Sequence, residues 1–433
     1  MRILLKHGSD HLLNYGDVAM LKVTVRRLRE FWPDAYIQTF TVAPERLSKY
    51  ISDISPLNPV GRSDFLRAGR LFGRLHRYIP GSNSRKLTRL EEKTWRFLPG
   101  LAKFFINLKV SRRGIALNSA EIKNYLRSLF SADLVAASGG GYLNDEFKAG
   151  AMTLLSTFQI ANELDIPTAI FGQGLGPIQD PILRAEAKAV LPSIKLIAVR
   201  EKRAAMPLLD SFHVNPSRVI NTGDDAIELA YEQRTEALGK NIGVNMRVAN
   251  YSQITDNSID IVRKCLHDAA SKYDAQLIPL PTSMVEAESD VKTLEKILAG
   301  GRTGGYNMLQ NLKEPSDVIR QVGRCRIVVT SSYHPGVFAL AQGIPIVGLA
   351  KSQYYIDKFT GLADHFGDGC ELILTDDKFF SERLITGIDR AWKLAQNVRP
   401  GLLEAAERQI SSGRSAYRRF YELVESKSRN NKS

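Results

Sequence analysis

The sequence predicts an α/β protein of two Rossmann-like domains facing each other across a cleft, with a basic insertion in the first domain. Three observations predict it. Short β-branched runs alternate with amphipathic helical stretches, the pattern of parallel sheets. The alternation pauses once, at the polar stretch YEQRTEALGKN near 230–240, and then resumes. At 433 residues the chain is also too long for a single core, and two domains of about 200 residues are expected. The expected boundaries are a first domain over 1–230, a second over 241–378, closing helices over 379–425 and a disordered tail over 426–433.

Taken in order, RILLK (2–6) reads as a strand. Val18, Leu21, Val25 and Leu28 then recur at helical spacing, with Asp17 as the expected N-cap and Pro33 ending the helix. YIQTF (36–40) is the next strand. Beyond the insertion come DLVAAS (133–138), TAIFG (168–172), LIAVR ending at Arg200, and RVINTG (218–223). The second series is IGVNM (242–246), QLIPL (276–280), RIVVTS (326–331), IPIVGL (344–349) and ELILT (371–375). Helical sequence then runs from 379 to 425, suited to packing back across the first domain. In open parallel sheets, ligands bind outside the carboxyl ends of the strands, which puts the expected site in the cleft.

Apolar residues make up 44% of the chain and charged residues 24%, which excludes wholesale disorder, a collagen-like repeat and a coiled coil. The 59 Lys and Arg outnumber the 46 Asp and Glu, and the excess is local. Residues 61–114 hold fourteen bases against three acids, interleaved with Phe, Trp, Tyr and Leu. Such a segment fits an anionic membrane surface, where each base contributes about 1 kcal/mol, or a solvated flank of its own domain. No nucleic-acid partner is expected, because no RNP, KH or helix-turn-helix pattern accompanies the charge. Cys265, Cys325 and Cys370 lie too far apart for a disulfide framework or zinc spacing and read as reduced thiols. The N-terminus lacks the apolar run of a signal peptide and no window is apolar enough to span a bilayer. A cytoplasmic protein, peripheral on the membrane at most, is expected.

Several turns carry the residue types of a binding site. Asn14-Tyr15-Gly16-Asp17 joins the first strand to the first helix, where free N–H groups favour an anion or a sugar hydroxyl. Gly139-Gly140-Gly141 follows the DLVAA strand; it is neither G-x-G-x-x-G nor a P-loop, so a nicotinamide or Walker-type reading loses its support. Gln173 sits among the glycines of Gly172-Gln173-Gly174-Leu175-Gly176-Pro177 and offers both donor and acceptor. Arg200 stands just past a strand end, where its fork suits a phosphate or carboxylate, with an ion pair to Asp224 or Asp225 as the structural alternative. Ser332-Tyr333-His334 follows the RIVVT strand, and His334 has the setting of a general acid or base. Lys351 and Lys358 follow the next strand. No HExxH motif or Cys/His/Asp cluster appears, so neither a metal nor another cofactor is expected.

In this order, Asn14-Tyr15-Gly16-Asp17, the strand and glycine run to Gly141, Gly172 to Pro177, Val199-Arg200, Asp225-Ala226, and His334 leading into Ala339-Leu340-Ala341-Gln342-Gly343-Ile344-Pro345 resemble the polysaccharide pyruvyl transferase family. The resemblance covers nearly the whole chain except the basic insertion and the tail. It implies a fold similar to GT-B glycosyltransferases. It also implies transfer of pyruvate from phosphoenolpyruvate to a glycan or lipid-linked oligosaccharide as a ketal, during exopolysaccharide, capsule or cell-wall polymer assembly. Arg200 and His334 match the family's arginine and histidine, the expected catalytic pair, and Lys358 matches a lysine after the following strand. One departure stands out. The family commonly has Arg-Leu-His where this chain has Ser332-Tyr333-His334.

On this reading Lys358, Lys351, Gly139, Gly140, Gly141 and Ser332 serve the donor, and Asn14, Gly16, Asp17 and Gln173 the acceptor. A cationic His334 would protonate the donor's methylene carbon or assist the acceptor hydroxyl. The alternatives are a GT-B glycosyltransferase using a nucleotide sugar and a non-catalytic glycan-binding member.

Overall fold

The computed structural model describes residues 1–72, 82–111, 117–249, 252–286, 289–300 and 312–430. Two parallel sheets organise them. The first contains β1 (Arg2–Lys6), β2 (Tyr36–Phe40), β3 (Ser55–Leu57), β4 (Leu134–Ala137), β5 (Gly140–Leu143), β6 (Thr168–Leu175), β7 (Leu196–Val199) and β8 (Val219–Asn221). Its order is β3-β2-β1-β4-β6-β7-β8, with β5 also paired to β6. The second contains β9 (Asn241–Asn245), β10 (Leu277–Pro279), β11 (Cys325–Thr330), β12 (Ile346–Ala350) and β13 (Cys370–Leu374), in the order β10-β9-β11-β12-β13. Central strands such as LVAA, LIAV and IVGLA are apolar at every position because helices cover both faces.

The strand order reverses between β1 and β4 in the first sheet and between β9 and β11 in the second. At such reversals the following helices diverge to opposite faces and leave a crevice. Two backbone hydrogen bonds bring the halves together, Tyr15 N to Thr282 O at 2.8 Å and Met284 N to Leu13 O at 2.8 Å. One apolar cluster spans both, joining Tyr15, Ala19 and Met20 of α1 (Tyr15–Phe31) to Val328, Val337 and Phe338 of the second half.

Two strands escape the sequence pattern. β3 is a three-residue edge containing Pro56. β5 includes two of the three glycines that read as a turn. β6 is long enough to pair with β4 at Val135↔Thr168 and then with β5 at Gly140↔Gln173, so Ser138-Gly139 interrupts a strand instead of ending it.

The start of the basic segment belongs to the fold. α2 (Pro44–Tyr50) precedes it, and α3 (Val60–Ala68) buries Phe65 and Ala68 against α6 (Ser119–Phe130). Arg62 is buried, 4.4 Å from the centre of the Phe40 ring and 3.3 Å from Asp10. α4 (Ser82–Phe97) and α5 (Pro99–Ser111) follow, with Trp95, Ala102 and Ile106 in the same core. Arg74, Arg77, Arg112 and Arg113 lie outside the described residues.

The chain ends in one helix, Phe380–Asn430, with Pro400 inside it. Leu384 and Ile388 pack on the second domain, and Tyr417 and Phe420 on Phe171 of the first. The helix runs to Asn430, five residues into the expected disordered tail, although its buried apolar stripe ends at Val424. Residues 431–433 lie outside the described ones. Among the described residues no helix is long and apolar enough to cross a membrane, and the three cysteines are free and buried.

Candidate functional site

The two strand-order reversals face each other across a cleft of about 320 Å³. From the first domain it receives Gly8 and Ser9 after β1, Gly141 and Tyr142 of β5, Asn14 and Asp17 at the start of α1, and Arg200 after β7. The second domain adds Arg247 after β9, Ser283 after β10, and Tyr333 and His334, which open helix α14 (Tyr333–Ala341), at the end of β11. Tyr354, Tyr355 and Lys358 come from the helix Gln353–Phe366 that follows β12. Arg200, Arg247, Tyr333 and His334 thus stand just beyond the carboxyl ends of parallel strands, and Tyr354, Tyr355 and Lys358 on the helix that follows one.

His334 is buried against the first domain. A Cβ on Gly16 would lie 2.0 Å from the imidazole Nδ1, so only glycine lets the ring rest there. Asn14 holds this turn as the N-cap, its carboxamide oxygen accepting from Gly16 N at 3.0 Å and Asp17 N at 3.4 Å. Asp17 is therefore not the cap expected from the sequence; it sits one turn inside, half-buried on the cleft wall. The His334 Nε2 lies 4.0 Å from Asp224 Oδ2 and has no hydrogen-bond partner among the described residues. Burial, reinforced by Arg200, Lys358 and Arg247, pushes the His334 pKa well below 6.5. The cationic form expected from the sequence is thus disfavoured.

Arg200 runs between two glycines. A Cβ on Gly174 would meet its Nε at 2.7 Å, and one on Gly141 its Nη2 at 3.0 Å. Its guanidinium lies 4.2 Å from the centre of the Tyr333 ring and pairs with Asp224 Oδ2 at 3.4 Å. Burial lifts the Asp224 carboxyl to about 6 despite that partner. Lys358 Nζ donates to Tyr354 Oη at 2.5 Å, and Tyr354 Oη donates to Gly141 O at 3.2 Å. The rings of Tyr333, Tyr354 and Tyr355 surround the ammonium at 5.7, 3.8 and 5.2 Å. Burial and the two neighbouring arginines pull the Lys358 pKa well down. Asp17 is raised to about 6, chiefly by burial. An acid lifted and a base lowered in one cleft is the arrangement that keeps acid and base forms available near neutrality.

Arg247 was missed in the sequence. Its Nε and Nη2 hold the two oxygens of Asp290 at 2.9 and 3.0 Å, and its backbone N–H donates to Ser331 Oγ at 2.8 Å. Asp290 is itself fixed by Asn245 and by the backbone N–H groups of Thr282 and Ser283. Arg247 thereby enters the cleft from the strand end next to the turn in which the chain has Ser332 instead of the family's arginine. A lone arginine after IGVNM carries no motif. The clue was its position past a strand end, the same clue that singled out Arg200.

Six predicted residues do not line this cleft, Gly16 under the His334 ring and five others. Gly139 is a packing glycine, since a Cβ there would meet Met20 Sδ at 2.7 Å and Gly172 O at 2.9 Å. Gly140 pairs with Gln173 inside the sheet, and the Gln173 side chain is fully buried, donating to Gly174 O at 3.0 Å. Ser332 is buried in its own turn beside Thr330, and Lys351 lies to one side. Among the described residues no group of three His, Cys, Asp or Glu side chains is placed to hold a metal.

Solved structures with the same architecture span nearly the whole chain. A putative UDP-N-acetylglucosamine 2-epimerase from Listeria monocytogenes superposes with a TM-score of 0.57 at 13% identity, covering 98% of this chain and 96% of that one. The UDP-GlcNAc 2-epimerase of Neisseria meningitidis, bound to UDP-GlcNAc, gives 0.54 at 12% identity, covering 98% and 100%. Arabidopsis thaliana UGT89C1, in complex with quercetin, gives 0.50 at 11%, covering 98% of each. These likenesses establish the fold as GT-B. No curated protein matches the chain in sequence. The family model for polysaccharide pyruvyl transferase matches residues 14–352, a span that contains every cleft residue from Asn14 to His334. The chain belongs to the polysaccharide pyruvyl transferase family.

Proposed function

We propose that the chain transfers pyruvate from phosphoenolpyruvate to two hydroxyls of a glycan, closing a cyclic ketal. The observation that carries the reading is the convergence of Arg200, Arg247 and Lys358 on the unpartnered His334 Nε2 in a member of this family. The donor's phosphate and carboxylate meet Arg200, Arg247 and Lys358, and an anion bound there favours the charged form of Lys358 that burial in the empty cleft disfavours. Arg247 supplies the charge that Ser332 does not, and Gly141 and Gly174 give the Arg200 fork its space.

Neutral His334 removes the proton of the first acceptor hydroxyl as its oxygen adds to C2 of the donor. Asp17, partly protonated because burial lifts it to about 6, supplies a proton to C3 and turns the methylene into a methyl group. Phosphate then leaves from C2, the second hydroxyl adds there, and its proton departs with the phosphate. Charge develops on the leaving phosphate and at C2, so preorganised cations supply much of the rate. The setting we infer is cytoplasmic assembly of exopolysaccharide, capsule or cell-wall polymer.

Thermal denaturation with candidate donors tests the reading. A ligand at about 100 times its Kd adds about 2.7 kcal/mol. Phosphoenolpyruvate is expected to raise Tm in the wild type and much less in Arg200→Met. Stabilisation by a nucleotide sugar and not by phosphoenolpyruvate would make the chain a glycosyltransferase instead, and stabilisation by neither would leave a glycan-binding role.

A further inference from the structure

The corner between α4 and α5 presents a surface that the pyruvyl chemistry does not use. Pro99 lacks the N–H needed to continue α4 and opens α5 instead. Trp95, Ala102 and Ile106 turn inward from this corner. Leu101, Phe104 and Phe105, at i, i+3 and i+4 of α5, form an outward stripe that Phe97 at the end of α4 and Leu98 at the corner extend. Their exposures run from 45% to 70%, the reverse of what five large apolar side chains adopt in water.

Beside the stripe lies a groove of about 350 Å³. Trp95, Leu126 and Phe130 contribute its apolar lining and Arg96, Lys123 and Arg127 its cations. Glu92, 3.7 Å from Arg96, is the one acid among its lining residues. An apolar knuckle next to a net positive groove complements one surface in particular, a bilayer with anionic headgroups.

We propose that this corner docks the protein on an anionic phospholipid membrane, with the Phe97–Phe105 stripe in the acyl boundary and a phosphate headgroup in the Arg96, Lys123 and Arg127 groove. The contact is independent of donor chemistry and holds whether or not the cleft binds phosphoenolpyruvate. It would bring the cleft to an acceptor carried on lipid.

Flotation of the full-length protein with vesicles tests it. The protein is expected to float with equal parts phosphatidylcholine and phosphatidylglycerol and to stay behind with phosphatidylcholine alone. The combined change Phe97→Ser, Phe104→Ser and Phe105→Ser should weaken binding at least about tenfold with an unchanged melting temperature, since these side chains are exposed. Neutralising Arg96, Lys123 and Arg127 to Gln should weaken it by roughly a hundredfold, at about fivefold for each base lost near the surface. Failure of the wild type to float, equal binding to both vesicle types, or wild-type binding by the triple serine variant would overturn the proposal. So would a dimer in solution that the serine changes dissolve, since that would assign the stripe to a second copy.

Discussion

The His334 ring rests where any side chain at position 16 would have to be, so the smallest possible change there reports on the ring's placement. Gly16→Ala is expected to cut turnover at least about tenfold while secondary structure is retained, because only the ring and its turn must shift. His334→Gln removes the base and should cost about a hundredfold or more in kcat, with phosphoenolpyruvate still raising Tm. Normal turnover in that variant would exclude the role. Asp17 gives a stability signature with a definite sign. Its folded-state pKa is lifted from 3.8 to about 6, so between those values the folded chain holds a proton that the unfolded chain has lost. Stability falls as pH rises through that window, by about 2 kcal/mol for this carboxyl. Asp17→Asn should therefore gain stability relative to wild type as pH rises from 4 to 7, measured by urea unfolding; a constant difference would contradict the burial argument.

Packing of the terminal helix on the first domain depends on a charge cluster as well as on apolar contact. Arg27, almost wholly buried, pairs with Asp225 at 2.6 Å and with Glu228; Tyr417 of the terminal helix donates to Asp225 at 2.8 Å and stacks on Phe171 at 3.8 Å. Asp225→Ala leaves a buried guanidinium short of a partner and should cost about 3 to 5 kcal/mol of stability. Tyr417→Phe should cost only about 1 kcal/mol, the worth of one hydrogen bond. Equal effects of the two changes would show that the Tyr417 hydroxyl, bonded to Thr24 and Asp225, holds this helix as firmly as the ion pair does. The aspartate following Asp224 thus ties down the terminal helix and Asp224 holds Arg200 from behind the cleft, a division that two adjacent identical residues cannot announce. Periodicity exposed the strands because eleven of them are apolar runs bounded by turns. It could not expose β5, where glycine served packing and the passage of Arg200, or β3, a three-residue edge with a proline.

At the scale of the molecule, the two halves were legible because each sheet repeats the same alternation, and the cleft was legible because parallel sheets bind at their carboxyl ends. Asn14, Asp17, Gly141, Arg200, His334 and Lys358 were found this way. Arg247, Tyr354 and Tyr355 were not, because they join the site through strand adjacency and a helix face that no local motif records. The charge excess also divides by environment. Arg62 and Arg70 are taken up by Asp10, Glu91 and Glu163 inside the first domain, whereas Arg67, Arg85, Arg89 and Arg96 remain more than half exposed. The net charge of the chain therefore says little about the donor, which on the proposed reading meets Arg200, Arg247 and Lys358 in the cleft.

The most direct test of the central claim is the pyruvyl content of surface glycan, measured by mass spectrometry in cells carrying the intact chain or its His334→Gln variant. Loss of one pyruvyl ketal per repeating unit in the variant, with the sugar backbone intact, is the predicted result. Unchanged pyruvylation, or loss of a sugar instead of the ketal, would contradict it.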